Sequence, residues 1–253
     1  MRRIVTALIA ALVAAAVQSA GASVPAESAR LGDREAPCPG ATLLPTTDFL
    51  ETFPDTIVDL DVLVVTDPAD LAYAREAMKV AALAYEPYSI RLVPTYETIP
   101  LPKIGNGGTR LLKWLKRQFG GARPPGSDVV YLATNRLVRA AGRADCVGGI
   151  AGDSTAFAVG TLRWDKIVGV ELRGVPDPRL PNADGGAKIA AHEIGHLLGA
   201  EHDDSVCGPG MRPTDPARPC EVMLTKSPQN VGLHFGPLNG AVVRRFALAY
   251  ARP

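Results

Sequence analysis

Hydrophobic positions along the first half of this chain alternate between two periods. Ile57, Val58, Leu60, Val62, Leu63, Val64 and Val65 make a β-branched run that stops at Thr66-Asp67-Pro68, the mark of a largely buried strand. From Asp70 to Tyr85 the spacing becomes helical, with Leu71, Ala74, Met78, Ala81 and Ala82 on one side. Ser89 to Tyr96 predicts a second strand, Thr109 to Phe119 a second helix striped by Leu111, Leu112, Leu115 and Phe119, and Asp128 to Ala133 a third strand. Strand, helix, strand, helix, strand is the order of an α/β fold whose sheet is mostly parallel and covered by helices.

The second half is less regular. Gly148 to Gly160 and Lys166 to Leu172 read as short extended pieces. Asn182-Ala183-Asp184-Gly185-Gly186 offers a cap and a turn before a helix opening at Ala187 and running to about Leu198. A Gly- and Pro-rich stretch follows to about Pro237, and Leu238 to Ala251 closes the chain as a helix. No internal repeat is visible, so one domain over 55–253 is the economical reading.

The residues before that domain carry a different message. Arg2 and Arg3 precede an apolar run from Ile4 to Val17 broken only by Thr6, and Ala20-Gly21-Ala22 supplies small residues for cleavage. Residues 1–22 thus read as a secretory signal peptide, and a run of about 14 apolar residues falls short of the roughly 20 that span a bilayer. Residues 23–54, rich in Pro, Gly and Ala, are an N-terminal arm or short pro-segment. The mature protein is therefore expected outside the cytoplasm, extracellular or periplasmic, with no stable membrane insertion.

Composition narrows the partners. With 47% hydrophobic and 21% charged residues the chain is neither disordered nor of low complexity. Its 27 basic and 26 acidic residues are interspersed, leaving a net charge of +1, so no phosphate-binding footprint points to nucleic acid. In an oxidising compartment the four cysteines favour disulfides, and they allow three pairings. Cys207 and Cys220 lie close in sequence and are paired here, leaving Cys38 with Cys146 by elimination. No C-x-x-C spacing supports a four-cysteine zinc site.

The chemistry concentrates in His192-Glu193-Ile194-Gly195-His196-Leu197-Leu198-Gly199-Ala200-Glu201-His202, which holds three of the four histidines. On a helix, residues four apart lie about 40° from one another around the axis, so the imidazoles of His192 and His196 leave one face a turn apart. Gly199 then ends the helix, and the turn lets His202 approach as a third nitrogen ligand. Three neutral nitrogens leave one corner of a tetrahedral zinc ion open for water, the catalytic arrangement. Glu193 is placed beside the metal to take that water's proton and deliver it to a leaving amine. Five fixed positions would coincide by accident in on the order of one chain in 10⁵ of this size.

His192 to Asp203 resembles the extended zinc signature HExxHxxGxxHD of the metzincin metalloproteases, and the Asp after the third histidine is similar to the adamalysin, or reprolysin-like, branch. The resemblance implies a metzincin-like catalytic domain: a mostly parallel twisted sheet with one antiparallel edge strand, an active-site helix and a small C-terminal subdomain. It implies a methionine turn under the metal, for which Met223 in Cys220-Glu221-Val222-Met223 is suitably placed, supporting the site without binding zinc. Val147-Gly148-Gly149-Ile150-Ala151 is similar to the edge strand that aligns an extended substrate, so Gly149, Ile150 and Ala151 are candidate substrate contacts; a plain loop is the competing reading. Leu224-Thr225 departs from the small residue and proline common after the turn methionine in the adamalysin branch. Cys38 also has two readings, the disulfide to Cys146 or a thiolate that silences a proenzyme by binding zinc.

The expectation is a monomeric, secreted zinc endopeptidase that hydrolyses peptide bonds of protein or peptide substrates by a zinc-bound water activated by Glu193. One Zn2+ is held by His192, His196 and His202; calcium at Asp203 and Asp204 is conceivable but not indicated. The alternatives are a non-catalytic secreted binding module with this fold, or a zinc amidase acting on cell-wall peptides. His234 reads as a packing histidine sooner than a wall of the substrate pocket, and Trp114 and Trp164 as buried aromatics.

Overall fold

The computed structural model describes residues 36–39, 41, 56–136, 138, 141–162, 183–202, 221–224 and 232–252. Five strands, β1 (Val58–Thr66), β2 (Ile90–Thr98), β3 (Val129–Thr134), β4 (Gly142–Ala144) and β5 (Phe157–Thr161), form one sheet in the order β2-β1-β3-β5-β4. Four helices accompany them: α1 (Leu71–Ala82), α2 (Gly108–Gln118), α3 (Ala183–Leu197) and α4 (Pro237–Tyr250). β1, β2, β3 and β5 run parallel, with Val58 opposite Ile90, Val62 opposite Val129 and Val130 opposite Phe157. β4 closes one edge antiparallel to β5, Gly142 facing Gly160. The mixed α/β fold with a mostly parallel sheet and one antiparallel edge is as expected.

Alternation along the strands divides the core into two layers. Leu60, Val62 and Val64 of β1 and Tyr131 of β3 face α1 and α3, sharing a core with Ala74, Met78, Ala190, Ile194 and Leu197. Val65, Val130, Leu132, Phe157 and Val159 point the other way, where Leu111, Leu112, Trp114 and Leu115 of α2 cover them. The predicted stripes of α1 and α2 are thus the faces these helices bury, and Trp114 is a core aromatic.

Two expectations need correction. Gly149–Ala151 is not an edge strand but a single 3-10 turn, with Gly149 and Ile150 buried. The edge is β4, a few residues upstream. Within 147–151 only Val147 forms a bridge, and its partner is Pro37 of the N-terminal segment. A one-turn helix with its side chains packed inward offers no free edge to a peptide, so Gly149, Ile150 and Ala151 are not aligned for substrate pairing. The second correction concerns α3, which begins at Ala183, before the supposed Gly185-Gly186 turn. A Cβ on Gly186 would stand 3.0 Å from Leu162 Cα, so glycine there lets the helix approach the chain leaving β5.

The compact unit runs from Glu35 to Pro253 and includes the segment carrying Cys38. Cys38 is bonded to Cys146, with Cα atoms 5.1 Å apart and a sequence separation of 108. Its sulfur is therefore not a zinc thiolate here. Cys38 N–H donates to Val147 O at 2.9 Å and Val147 N–H to Ala36 O at 3.0 Å, so the bridge staples a short strand-like pairing. Cys207, Cys220, Asp203, Asp204, Trp164, the 166–172 piece and the signal segment lie outside the described residues. Among the described residues no helix is long and apolar enough to cross a membrane.

A cross-link closing so long a loop restricts the unfolded chain strongly. The double variant Cys38→Ser/Cys146→Ser should lose about 2–4 kcal/mol of stability in guanidinium denaturation under oxidising conditions.

Candidate metal centre

α3 carries the site because its sequence has two different sides. Ala187, Ala190, Ala191, Ile194, Leu197 and Leu198 are buried against the sheet and α1. His192 and His196 project from another face, one turn apart as their spacing requires. Leu198 and Gly199 then turn the chain: Ala200 N–H donates to Gly195 O at 2.9 Å and Gly199 N–H to His196 O at 2.9 Å, the bonds of a left-handed helix cap. Gly199 has φ +83°, which side-chain-bearing residues rarely adopt. This reversal brings His202 back to the helix.

The three Nε2 atoms form a nearly equilateral triangle: His192 to His196 3.0 Å, His192 to His202 3.2 Å and His196 to His202 3.2 Å. The rings of His192 and His202 stand steeply to that of His196, with interplanar angles of 89° and 83°. Among the described residues these three side chains are the group that could hold a metal ion. Backbone carbonyls hold two of the rings from behind. His192 Nδ1 lies 2.8 Å from Val222 O and His196 Nδ1 2.8 Å from Ala200 O. A carbonyl only accepts, so each Nδ1 carries the proton and each neutral ring presents a bare Nε2 lone pair to the other.

Burial keeps those rings neutral. Desolvation, then the neighbouring His202, lowers the His192 pKa to about 4 against the partial support of the Val222 carbonyl. His196, only 2% exposed, is pushed well below the ordinary histidine value by burial and then by His192 and His202. Neutral imidazole is the form that binds metal. With metal–nitrogen bonds of about 2.0–2.1 Å, the corners of a tetrahedron lie about 3.3 Å apart. The observed triangle fits that spacing closely.

Glu193 is 5% exposed and lies toward the sheet edge. Its carboxylate rests on the backbone of Gly142 in β4, where an added Cβ would stand 2.6 Å from Glu193 Cδ. The Tyr131 phenol of β3, buried and next influenced by the Glu193 charge, is driven well above its usual pKa and stays protonated. Below α3, Met223 is fully buried, and a Cβ on Gly195 would stand 3.0 Å from its sulfur and 2.8 Å from Phe235 Cε1. Phe235 in turn stacks edge-on with Tyr85, whose hydroxyl donates to Ala191 O at 2.7 Å. His234 stands apart from the triangle in its contacts: its carbonyl accepts from Val222 N–H at 2.8 Å, and partial burial lowers the pKa of its ring.

The three histidines and Glu193 were all legible from the motif, and Met223 from the family resemblance; the other supports were not. Gly142, Gly195, Tyr85, Phe235 and the Val222 and Ala200 carbonyls act through close approach or through backbone atoms, which leave no pattern in a single sequence. Gly195 alone carried a hint, since glycine inside a helix costs stability unless something needs its space.

Residues 108–233 match the Reprolysin_5 family model, metallo-peptidase family M12. Over those residues the chain is similar to metallopeptidase family M12. The matched segment begins at α2 and contains β4, the whole triangle, Glu193 and Met223, and the reprolysin-like resemblance is borne out. A search of curated proteins returns no significant match. Among solved structures, archaemetzincin from Methanopyrus kandleri is similar at 18% identity and a TM-score of 0.46, over 74% of this chain and 95% of that one. A chain in a chaperone–substrate complex is similar at 16% identity and a TM-score of 0.47, over 78% of this chain and 36% of that one, so this chain spans little more than a third of its length.

Two outcomes follow for the matched segment. Gly195→Ala gains about 0.5–1 kcal/mol of helix propensity but overpacks against Met223 and Phe235 at about 1–3 kcal/mol, so thermal denaturation should show net loss. Metal-free protein should weaken as pH falls: His192 binds a proton near pH 6.5 when unfolded but only near pH 4 when folded. Below pH 6.5 the unfolded state is therefore favoured, by about 2 kcal/mol at pH 5 relative to pH 7.5 from His192 alone, as denaturant titrations at the two pH values would register.

Proposed function

We propose that this protein is a secreted zinc endopeptidase of the metzincin type, acting as a monomer on protein or peptide substrates. The observation that carries the reading is the closed triangle of imidazole nitrogens, 3.0–3.2 Å on a side, with a buried carboxylate one residue from its first member. His192, His196 and His202 hold the ion. When bound, zinc acidifies a water molecule and polarises a carbonyl.

The remaining work belongs to the chain. Val222 O and Ala200 O fix the tautomers of two ligands and strengthen them as donors. Glu193 accepts the proton of the attacking water on its carboxylate and returns it to the nitrogen of the departing amine. Gly142 leaves room for that carboxylate beside the sheet edge. Met223 supports the triangle from beneath, with Gly195 admitting its sulfur. Secretion is supported by the apolar N-terminal segment and by the disulfide of Cys38 with Cys146, a bond that persists in oxidising compartments. The charge balance gives no reason to expect nucleic acid as a partner.

The test joins metal analysis to cleavage of a mixed peptide library. Wild-type protein should contain one zinc per chain, and chelation should stop cleavage. Glu193→Gln should retain the zinc and lose about 10²-fold or more in rate. Wild-type turnover by Glu193→Gln would refute the proton-transfer role, and a folded, zinc-loaded protein that cuts nothing would favour the binding-module alternative.

A further inference from the structure

The five residues between His196 and His202 have few means of fixing where the third imidazole arrives. Gly199 turns the chain and Ala200 is tied back to Gly195, but the last peptide before His202 belongs to Glu201. That peptide is gripped from outside. Asn239, in the first turn of α4 and only 4% exposed, accepts Glu201 N–H on Oδ1 at 3.0 Å and donates from Nδ2 to Glu201 O at 3.0 Å. One side-chain amide thus reads both polar groups of one residue, as a neighbouring strand would. Its orientation is unambiguous, because the oxygen faces a donor while the nitrogen faces two acceptors.

The second acceptor is Glu221. Nδ2 also donates to Glu221 Oε1 at 3.1 Å, and the other carboxylate oxygen accepts Gly236 N–H at the start of α4. Glu221 directly precedes Val222, whose carbonyl holds His192. Asn239 therefore joins the residue before the third imidazole to the segment that orients the first.

We infer that Asn239 is the positioning residue of the third imidazole, holding the Glu201 peptide so that His202 Nε2 closes the triangle. The inference rests on the metal-ligand reading above. Were Asn239 merely a buried polar residue that docks α4, its loss would lower stability without a specific effect on metal binding.

The experiment compares Asn239→Ala with Leu111→Ala, a core truncation on the opposite face of the sheet. Zinc dissociation constants come from competition with a chromophoric chelator, and the cobalt-substituted proteins supply visible spectra. Asn239→Ala should weaken zinc about 10–100-fold and alter the cobalt spectrum while the metal-free chain remains folded by circular dichroism. Leu111→Ala should lower the thermal midpoint yet leave zinc affinity and the cobalt spectrum unchanged. Wild-type zinc affinity in Asn239→Ala, or equal weakening in Leu111→Ala, overturns the inference. If Asn239→Ala does not fold, Asn239→Asp carries the same expectation and the same overturning result. It keeps the shape and the acceptor for Glu201 N–H but turns an oxygen toward two acceptors. A wild-type protein that binds neither metal overturns the metal-ligand reading as well, whereas equal binding by wild type and both Asn239 variants overturns this inference alone.

Discussion

Three imidazole nitrogens 3.0–3.2 Å apart, one on a buried residue and two on half-buried ones, set lone pairs against one another unless something opposes them. Backbone carbonyls occupy the far nitrogens of His192 and His196, so those two rings cannot relieve the crowding by sharing a proton at Nε2. Burial removes the other remedy, since the charged form is disfavoured there. A divalent cation resolves the conflict at once, and a metal-free chain must hold the arrangement by packing. Much of the surrounding structure can be understood as the scaffolding of this one unfavourable contact.

The scaffolding comes from three directions. The sheet and α1 hold the apolar side of α3, which fixes the first two rings as one rigid unit. Tyr85, Phe235 and Met223 press on α3 from below, and glycine at 195 allows them to do so closely. The C-terminal helix supplies the third constraint through Asn239 and Glu221. Glu193 is accommodated on the remaining side, at Gly142 of the only antiparallel strand in the described sheet.

What a single sequence displays and what it conceals separate along physical lines. Repeating patterns are visible: the β-branched run of β1, the stripes of α1 and α2, and the four-residue step from His192 to His196 all correspond to observed faces. Relationships that are not periodic are hidden. The Gly185-Gly186 pair looks like a turn because local preference disfavours it in a helix, yet Leu162 needs its space and the helix continues. Residues 147–151 look extended, but their pairing goes to Pro37, and inward packing of Ile150 curls the rest. Asn239 gives no signal at all, because its partners are the main-chain atoms of Glu201, 38 positions away, and the Glu221 carboxylate, 18 positions away.

The reach of α4 back into the centre has a bearing on truncation. Besides Asn239, the helix sends Arg244 to the carbonyls of Thr56 and Ser89 and sets Phe246 where a Cβ on Gly199 would stand 2.5 Å from its ring. Because α4 follows all three histidines in sequence, a chain cleaved just before Pro237 would keep every imidazole of the triangle and lose both the clamp and the wedge that shape their turn.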